Sequence, residues 1–233
     1  NRLDIDPGQK RYVIPHGYDA SDLRMRGRKA SNKFVLSYTG TLYRDSSYVS
    51  DLTPAFAALQ ALIEGGTVAR DDVLVSYCGP SSNEFAAQAS CYPIVPVVDE
   101  GFVARERAME VQDGSSLLIY TTCNNETYES GLSGKTYEYL SSGVPILALC
   151  SGSKPNAITS AFFRNAHAGF SYEEACRDSD FSLMCGFIEG KYRDWKESGL
   201  TLAETEWTYV ESNNYANLAQ SLYGVICDLV EQR

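Results

Sequence analysis

Five short apolar runs, each followed by a segment of helical spacing, constrain this chain more than any other feature. The runs are "KFVLSYTG" (33–40), "DDVLVSYCG" (71–79), "IVPVVDEG" (94–101), "SSLLIYTT" (115–122) and "VPILALC" (144–150). The segments after them are "SDLTPAFAALQALIEGG", "SSNEFAAQAS", "ARERAMEVQDG", "GKTYEYLSSG" and "NAITSAFFRNAHAG", with a short sixth strand expected near Gly169–Tyr172. Three of the runs are continuously apolar rather than alternating, as strands covered by helices on both faces require. Units of strand and helix in series predict an α/β fold built on an open, doubly wound, mostly parallel sheet with right-handed crossovers. Ligands of such a sheet sit outside the carboxyl ends of its strands, so the loops after the five runs are where chemistry is expected.

The two ends read differently. The start is a loop or linker into "YVIPHGYD" (12–19), where Pro15 and Gly17 predict a turn and His16 is given a structural role. The stretch 213–232 has apolar residues at 215, 218, 222, 225, 226 and 229, a helical period with Asn213 or Asn214 as N-cap. Between them, 173–212 is charged and reads as irregular. Its aromatic residues Tyr192, Trp195, Trp207 and Tyr209 are read as packing for the C-terminal helices.

Of 233 residues, 44% are hydrophobic and 21% charged, a balance that supports a buried core. The formal net charge of −10 argues against a nucleic-acid partner, while helix N-termini and backbone amides can still hold a local phosphate. No apolar run approaches the roughly 20 residues of a membrane-spanning helix, so no transmembrane segment is expected. The opening "NRLDIDPGQK" does not read as a signal peptide. The seven cysteines are scattered and form no CxxC pair, which reads as buried free thiols in a reducing, cytoplasmic setting. Only His16 and His167 could join them around a metal, so no metal site and no cofactor are expected.

Two stretches carry candidate chemistry. In "SYTGTLYR" (37–44) a strand ends on Gly40 beside Thr41, where a backbone can approach phosphate oxygens closely; a plain turn is the other reading. The pattern matches neither G-x-G-x-x-G nor a P-loop. In "SGLSGKTYEYLSSGVPILALC" (130–150), Gly134 opens a short helix that Gly143 and Pro145 close. Lys135 and Glu138 share one face of it. A cation in a first helical turn opposes the helix dipole, so an anionic ligand would account for Lys135, and Glu138 could accept hydrogen bonds from a vicinal diol such as a ribose. The same spacing also fits an exposed ion pair worth a few tenths of a kcal/mol, and the pattern leaves both readings open.

In order along the chain, "VIPHGYD", "VLSYTGTLY", "VLVSYCGPS", "VVDEGFVARERAMEVQDGSSLLIY" and "GKTYEYLSSGVPILAL" resemble the nucleotide-sugar-binding half of GT-B glycosyltransferases of the retaining group-1, family 4-like type. The resemblance covers roughly 12–170 and is most specific in "KTYEYLSSGVPIL". It implies a single Rossmann-like C-terminal domain with C-terminal helices. The implied organisation is a hinge or linker over 1–20 from an N-terminal domain, the nucleotide-sugar-binding domain over 21–212, and a C-terminal helix over 213–233. The implied activity is metal-independent, retaining transfer of a hexose from a nucleoside-diphosphate sugar to an unknown acceptor, within polysaccharide biosynthesis. The N-terminal acceptor domain would be a partner, and this domain in isolation would be inactive.

By the same resemblance Glu138 binds the donor ribose, Gly40 and Thr41 face the diphosphate, Phe102 and Val103 flank the base, and Gly134 and Lys135 belong to the donor loop. Many relatives of this type carry a second glutamate eight residues before the ribose-binding one; that position is Ser130 here, with Glu126 and Glu129 nearby. Many also carry a base after the first strand's glycine, for which Arg44 is the only nearby candidate, and Arg44 and Lys135 are the expected catalytic cations. A sugar-nucleotide 2-epimerase-like isomerase and a non-catalytic nucleotide-sugar-binding module are the alternatives.

Overall fold

The computed structural model describes residues 12–21, 27–28, 30–45 and 48–231, so the part of the expected linker before residue 12 and the last two residues of the expected final helix lie outside the described residues. Six strands form one parallel sheet: β1 (Phe34–Thr39), β2 (Val73–Cys78), β3 (Val97–Asp99), β4 (Leu117–Cys123), β5 (Ile146–Ser151) and β6 (Gly169–Glu173). Their spatial order is β3-β2-β1-β4-β5-β6, the doubly wound Rossmann-like order. Helices α1 (Thr53–Glu64), α2 (Ser82–Ala89), α3 (Arg105–Asp113), α4 (Gly134–Ser141) and α5 (Ile158–Asn165) provide the crossovers.

The continuous apolar runs are explained by two cores, one on each face. Leu117 and Ile119 of β4 pack with Phe56 of α1, Phe85 of α2 and Phe34, while Leu118 and Tyr120 turn to the other face with Leu140, Phe162 and Phe163. Because successive side chains point to opposite faces, both sets of positions in such a strand are buried, and most of them are apolar. The third run is cut to three exposed residues, Val97–Asp99. Pro93 and Pro96 lack amide protons, and only the Pro96 carbonyl joins the ladder, accepting from Val75 N at 2.9 Å.

The stretch read as irregular contains a 22-residue helix, α6 (Arg177–Ser198). It buries a narrow stripe, Met184, Ile188, Tyr192 and Trp195, against Phe34, and leaves Leu183 exposed. Its foot is tied by Asp72, whose carboxylate accepts from the Tyr192 hydroxyl at 2.5 Å and from Lys196 at 3.0 Å. Two further helices follow, α7 (Trp207–Glu211) and α8 (Tyr215–Glu231). No helix among the described residues is long and apolar enough to cross a membrane. The segment around Tyr18 runs parallel to the start of α8: Tyr18 N donates to Asn213 O at 3.3 Å and Tyr215 N donates to Tyr18 O at 2.9 Å. All seven cysteines are free; Cys78, Cys123 and Cys150 are buried, whereas Cys91 is exposed and the other three are partly so.

Candidate functional site

The doubly wound order reverses between β1 and β4, and there the sheet opens. These two strands pair at only two positions, Leu36 with Leu117 and Ser37 with Leu118. Past them the opening is filled by Tyr139 of α4, which is completely buried. Its hydroxyl accepts the Thr39 amide at 3.1 Å, standing where a strand partner would otherwise be, and lies 3.1 Å from Thr39 Oγ1. Ser133 precedes α4 and donates its amide to Thr136 Oγ1 at 3.2 Å, which fixes where the helix starts. The sequence "SGK-T-Y-E-Y" therefore wedges one tyrosine into the sheet and places Lys135 one turn ahead of it, at the end of β1.

The strand ends meet as backbone. Gly40 N donates to Cys78 O at 2.8 Å and the Tyr77 hydroxyl donates to Gly40 O at 3.0 Å. Gly40 has φ +130°, and a Cβ there would collide with the Lys135 ammonium; a Cβ on Gly79 would strike Gly40 O. Lys135 Nζ sits 4.6 Å from the Tyr38 ring centroid and 5.9 Å from that of Tyr139. Among the described residues it makes no hydrogen bond and no ion pair within 4 Å. Burial lowers its pKa from 10.5 to about 8, against the opposing pull of the Glu138 charge.

Glu138 lies on the same face of α4. It accepts from Gln112 Nε2 at 2.7 Å and lies 3.6 Å from the Arg105 guanidinium. Gln112, buried on α3, also donates to Thr39 Oγ1 at 2.9 Å, so one amide links the end of β1 to the carboxylate. Nothing in "ARERAMEVQDG" distinguishes Gln112 or Arg105 from their polar neighbours; only the tertiary arrangement singles them out.

Thr39, Gly40, Thr41, Phe102, Val103, Lys135 and Glu138 line one cleft of ≈ 290 Å³ at the carboxyl edge of the sheet. Six of the expected site residues are thus brought together. Phe102 is 83% exposed at one end of it, so its ring is available for stacking. Cys78 also lines the cleft, but burial pushes its thiol up to about 11, leaving it uncharged and unreactive near neutral pH. Gly134 is the first residue of α4, beside rather than in the lining. Arg44 is outside the lining and reaches away to Glu84 at 3.3 Å.

The position of the expected second glutamate has a different job. Ser130 Oγ accepts from Cys123 N at 3.0 Å and Ser130 N donates to Cys123 O at 2.8 Å, closing the loop after β4 on itself. Glu129 accepts from Ile158 N at 2.8 Å at the start of α5, and Glu126 pairs with Lys154 at 3.0 Å.

No family profile and no curated protein matches the sequence. Solved structures do match. The α,α-trehalose 6-phosphate synthase of Burkholderia multivorans superimposes with TM-score 0.54 and 11% identity, over 86% of this chain and 44% of that one. The fold is GT-B-like. A GtfA/B complex gives TM-score 0.55 and 10% identity over 91% of this chain and 39% of that one. A trehalose-6-phosphate synthase studied with bisubstrate glycomimetics gives 0.54 and 14%, over 94% and 52%. The chain spans about two-fifths to one-half of the length of these structures. It fits the C-terminal domain of the GT-B architecture, with the cleft at the switch point between β1 and β4.

Proposed function

We propose that the cleft binds a nucleoside-diphosphate sugar as the donor of a glycosyl transfer. The observation that carries this reading is the half-buried Lys135 ammonium, held at the end of β1 without an anionic partner within 4 Å among the described residues. Holding an unpaired charge there costs stability, and a diphosphate against Gly40 and Thr41 would supply the missing counter-charge. Glu138, oriented by Gln112, accepts the ribose hydroxyls, and the base lies along Phe102 and Val103. Lys135 would then stabilise charge developing on the departing diphosphate, in a pocket where a fixed cation is worth more than in water. Arg44 would have to leave Glu84 to share that work.

The finer reading is a retaining, metal-independent hexosyl transfer. Its acceptor and an N-terminal partner domain come from the rest of a GT-B protein, in a cytoplasmic pathway of polysaccharide assembly. The GT-B-like fold and the sequence resemblance support it.

A second reading, a nucleotide-sugar-binding module without turnover, is favoured by one observation: Arg44 and Ser130 are both engaged away from the cleft. Isothermal titration with UDP, GDP and ADP tests the shared part of both readings. Binding of one of them is expected, with Glu138→Ala weakening it by roughly 1–3 kcal/mol. No binding of any of the three would sink the assignment. Turnover of a bound donor in the presence of acceptors separates the transferase from the module.

A further inference from the structure

Three tyrosines beyond the cleft have no part in the nucleotide reading. Tyr43 and Tyr48 belong to the loop after β1, and Tyr128 to the loop after β4. Their rings follow one another at 5.6 Å (Tyr43 to Tyr48, 38° apart) and 6.2 Å (Tyr48 to Tyr128, 41° apart). Tyr43 is 53% exposed and Tyr128 42%. Such rings bury large area when covered, so leaving them side by side in water is costly unless something covers them.

The row is built rather than incidental. Tyr48 is anchored by its hydroxyl, which donates to Thr121 O at 3.0 Å and lies 2.9 Å from Thr121 Oγ1. Asp45 accepts the Tyr48 amide and Asn125 accepts the Tyr128 amide, at 2.8 and 2.9 Å, which sets both loop backbones. The row is joined to the cleft wall through buried side chains. Thr121 Oγ1 is 3.3 Å from the hydroxyl of Tyr38, the ring on which Lys135 rests. The rings thus stand at the carboxyl end of β4, on the same edge of the sheet as Lys135 and Glu138.

We propose that Tyr43, Tyr48 and Tyr128 form a saccharide platform that takes the apolar C–H face of the donor's pyranose ring. Recognition here is by stacking and shape. With Ser130, Glu129 and Glu126 occupied elsewhere, the platform selects a sugar that presents an apolar face. This inference rests on the nucleotide-sugar reading of the adjoining cleft.

The test compares UDP, GDP and ADP with UDP-glucose, GDP-mannose and ADP-glucose by titration calorimetry, on the wild type, Tyr43→Ala and Tyr128→Ala. Both side chains are exposed, so alanine spares the core. The sugar ester of the bound nucleotide is expected to bind more tightly than the bare diphosphate. Each variant should lose up to about tenfold of that gain while holding the bare diphosphate as before. A gain that survives in both variants overturns the platform. So does the absence of any gain in the wild type, in which case the nucleotide reading still stands. If no diphosphate binds, the nucleotide reading fails, and saturation-transfer NMR with methyl glucoside and methyl mannoside judges the platform alone. Transfer that is lost in the double variant supports it, and no transfer to either sugar overturns it.

Discussion

The hydroxyl of Tyr139 stands in for a β-strand, accepting the Thr39 amide at 3.1 Å where β1 and β4 part. The opening of the sheet and the position of α4 are thus one feature, and the cleft depends on it. Tyr139→Phe leaves the Thr39 amide unsatisfied in a buried place. Urea unfolding should show a loss of about 1–3 kcal/mol, at the upper end of what a single hydroxyl contributes.

Lys135→Met should separate stability from binding. Met keeps an unbranched side chain, shorter by one atom, and removes the half-buried charge. The variant is expected to be more stable than the wild type at pH 7 by about 1–3 kcal/mol, while nucleotide affinity falls at least about tenfold. A variant that loses stability and keeps its affinity would mean that Lys135 is a packing residue.

The same lysine sets a pH dependence. Its folded pKa of about 8 lies below its unfolded value of 10.5. Between those values the unfolded chain holds the extra proton, so the unfolding free energy contributed by this group rises as pH increases from about 8 to 10.5. Anion binding has the opposite sense, because it requires the protonated amine: affinity should be level below pH 8 and fall above it. Paired denaturation and titration series from pH 7 to roughly 10 check both slopes, and Lys135→Met should flatten both.

Gly40→Ala would combine a side chain in a left-handed conformation, φ +130°, with a collision at the Lys135 ammonium. The cost should be about 1–3 kcal/mol in thermal or urea unfolding, together with loss of nucleotide binding. Restoring space with Gly40→Ala/Lys135→Ala should recover part of the stability and none of the binding.

Gln112→Leu fills the same volume without the amide. It should weaken nucleotide binding by about 0.5–1.5 kcal/mol by freeing the Glu138 carboxylate to turn. In a Glu138→Ala background the Gln112 substitution should have almost no further effect on affinity, which a double-mutant cycle measures.

Much of this was legible in the chain. Continuous apolar runs such as "SSLLIYTT" have one physical explanation, burial on two faces, and they placed four of the five strands closely. Gly40, Lys135 and Glu138 could be drawn together because strand ends and helix starts share one edge of such a sheet. The helix α6 escaped because Gly186, Gly190 and exposed Leu183 blur a stripe only four residues wide, Met184, Ile188, Tyr192 and Trp195. Gln112 escaped for a different reason. A polar side chain that orients a carboxylate across 26 positions leaves no local pattern, because its meaning lies in the partner. The tyrosine platform is of the same kind, since the 80 to 85 positions that separate Tyr128 from Tyr48 and Tyr43 are closed only by the fold.

The parallel bridge between Tyr18 and Asn214 has a mechanical consequence. The chain enters at Tyr18 and leaves through α8 side by side, held by two backbone hydrogen bonds. Tension applied to the two arms in opposite directions loads those bonds in shear before any of it reaches the six-stranded sheet. The same segment is also fastened to α4, where the Tyr137 hydroxyl donates to His16 O at 2.8 Å and the Tyr18 and Tyr137 rings lie 4.8 Å apart, so a load on this bridge passes to the helix that carries Lys135 and Glu138.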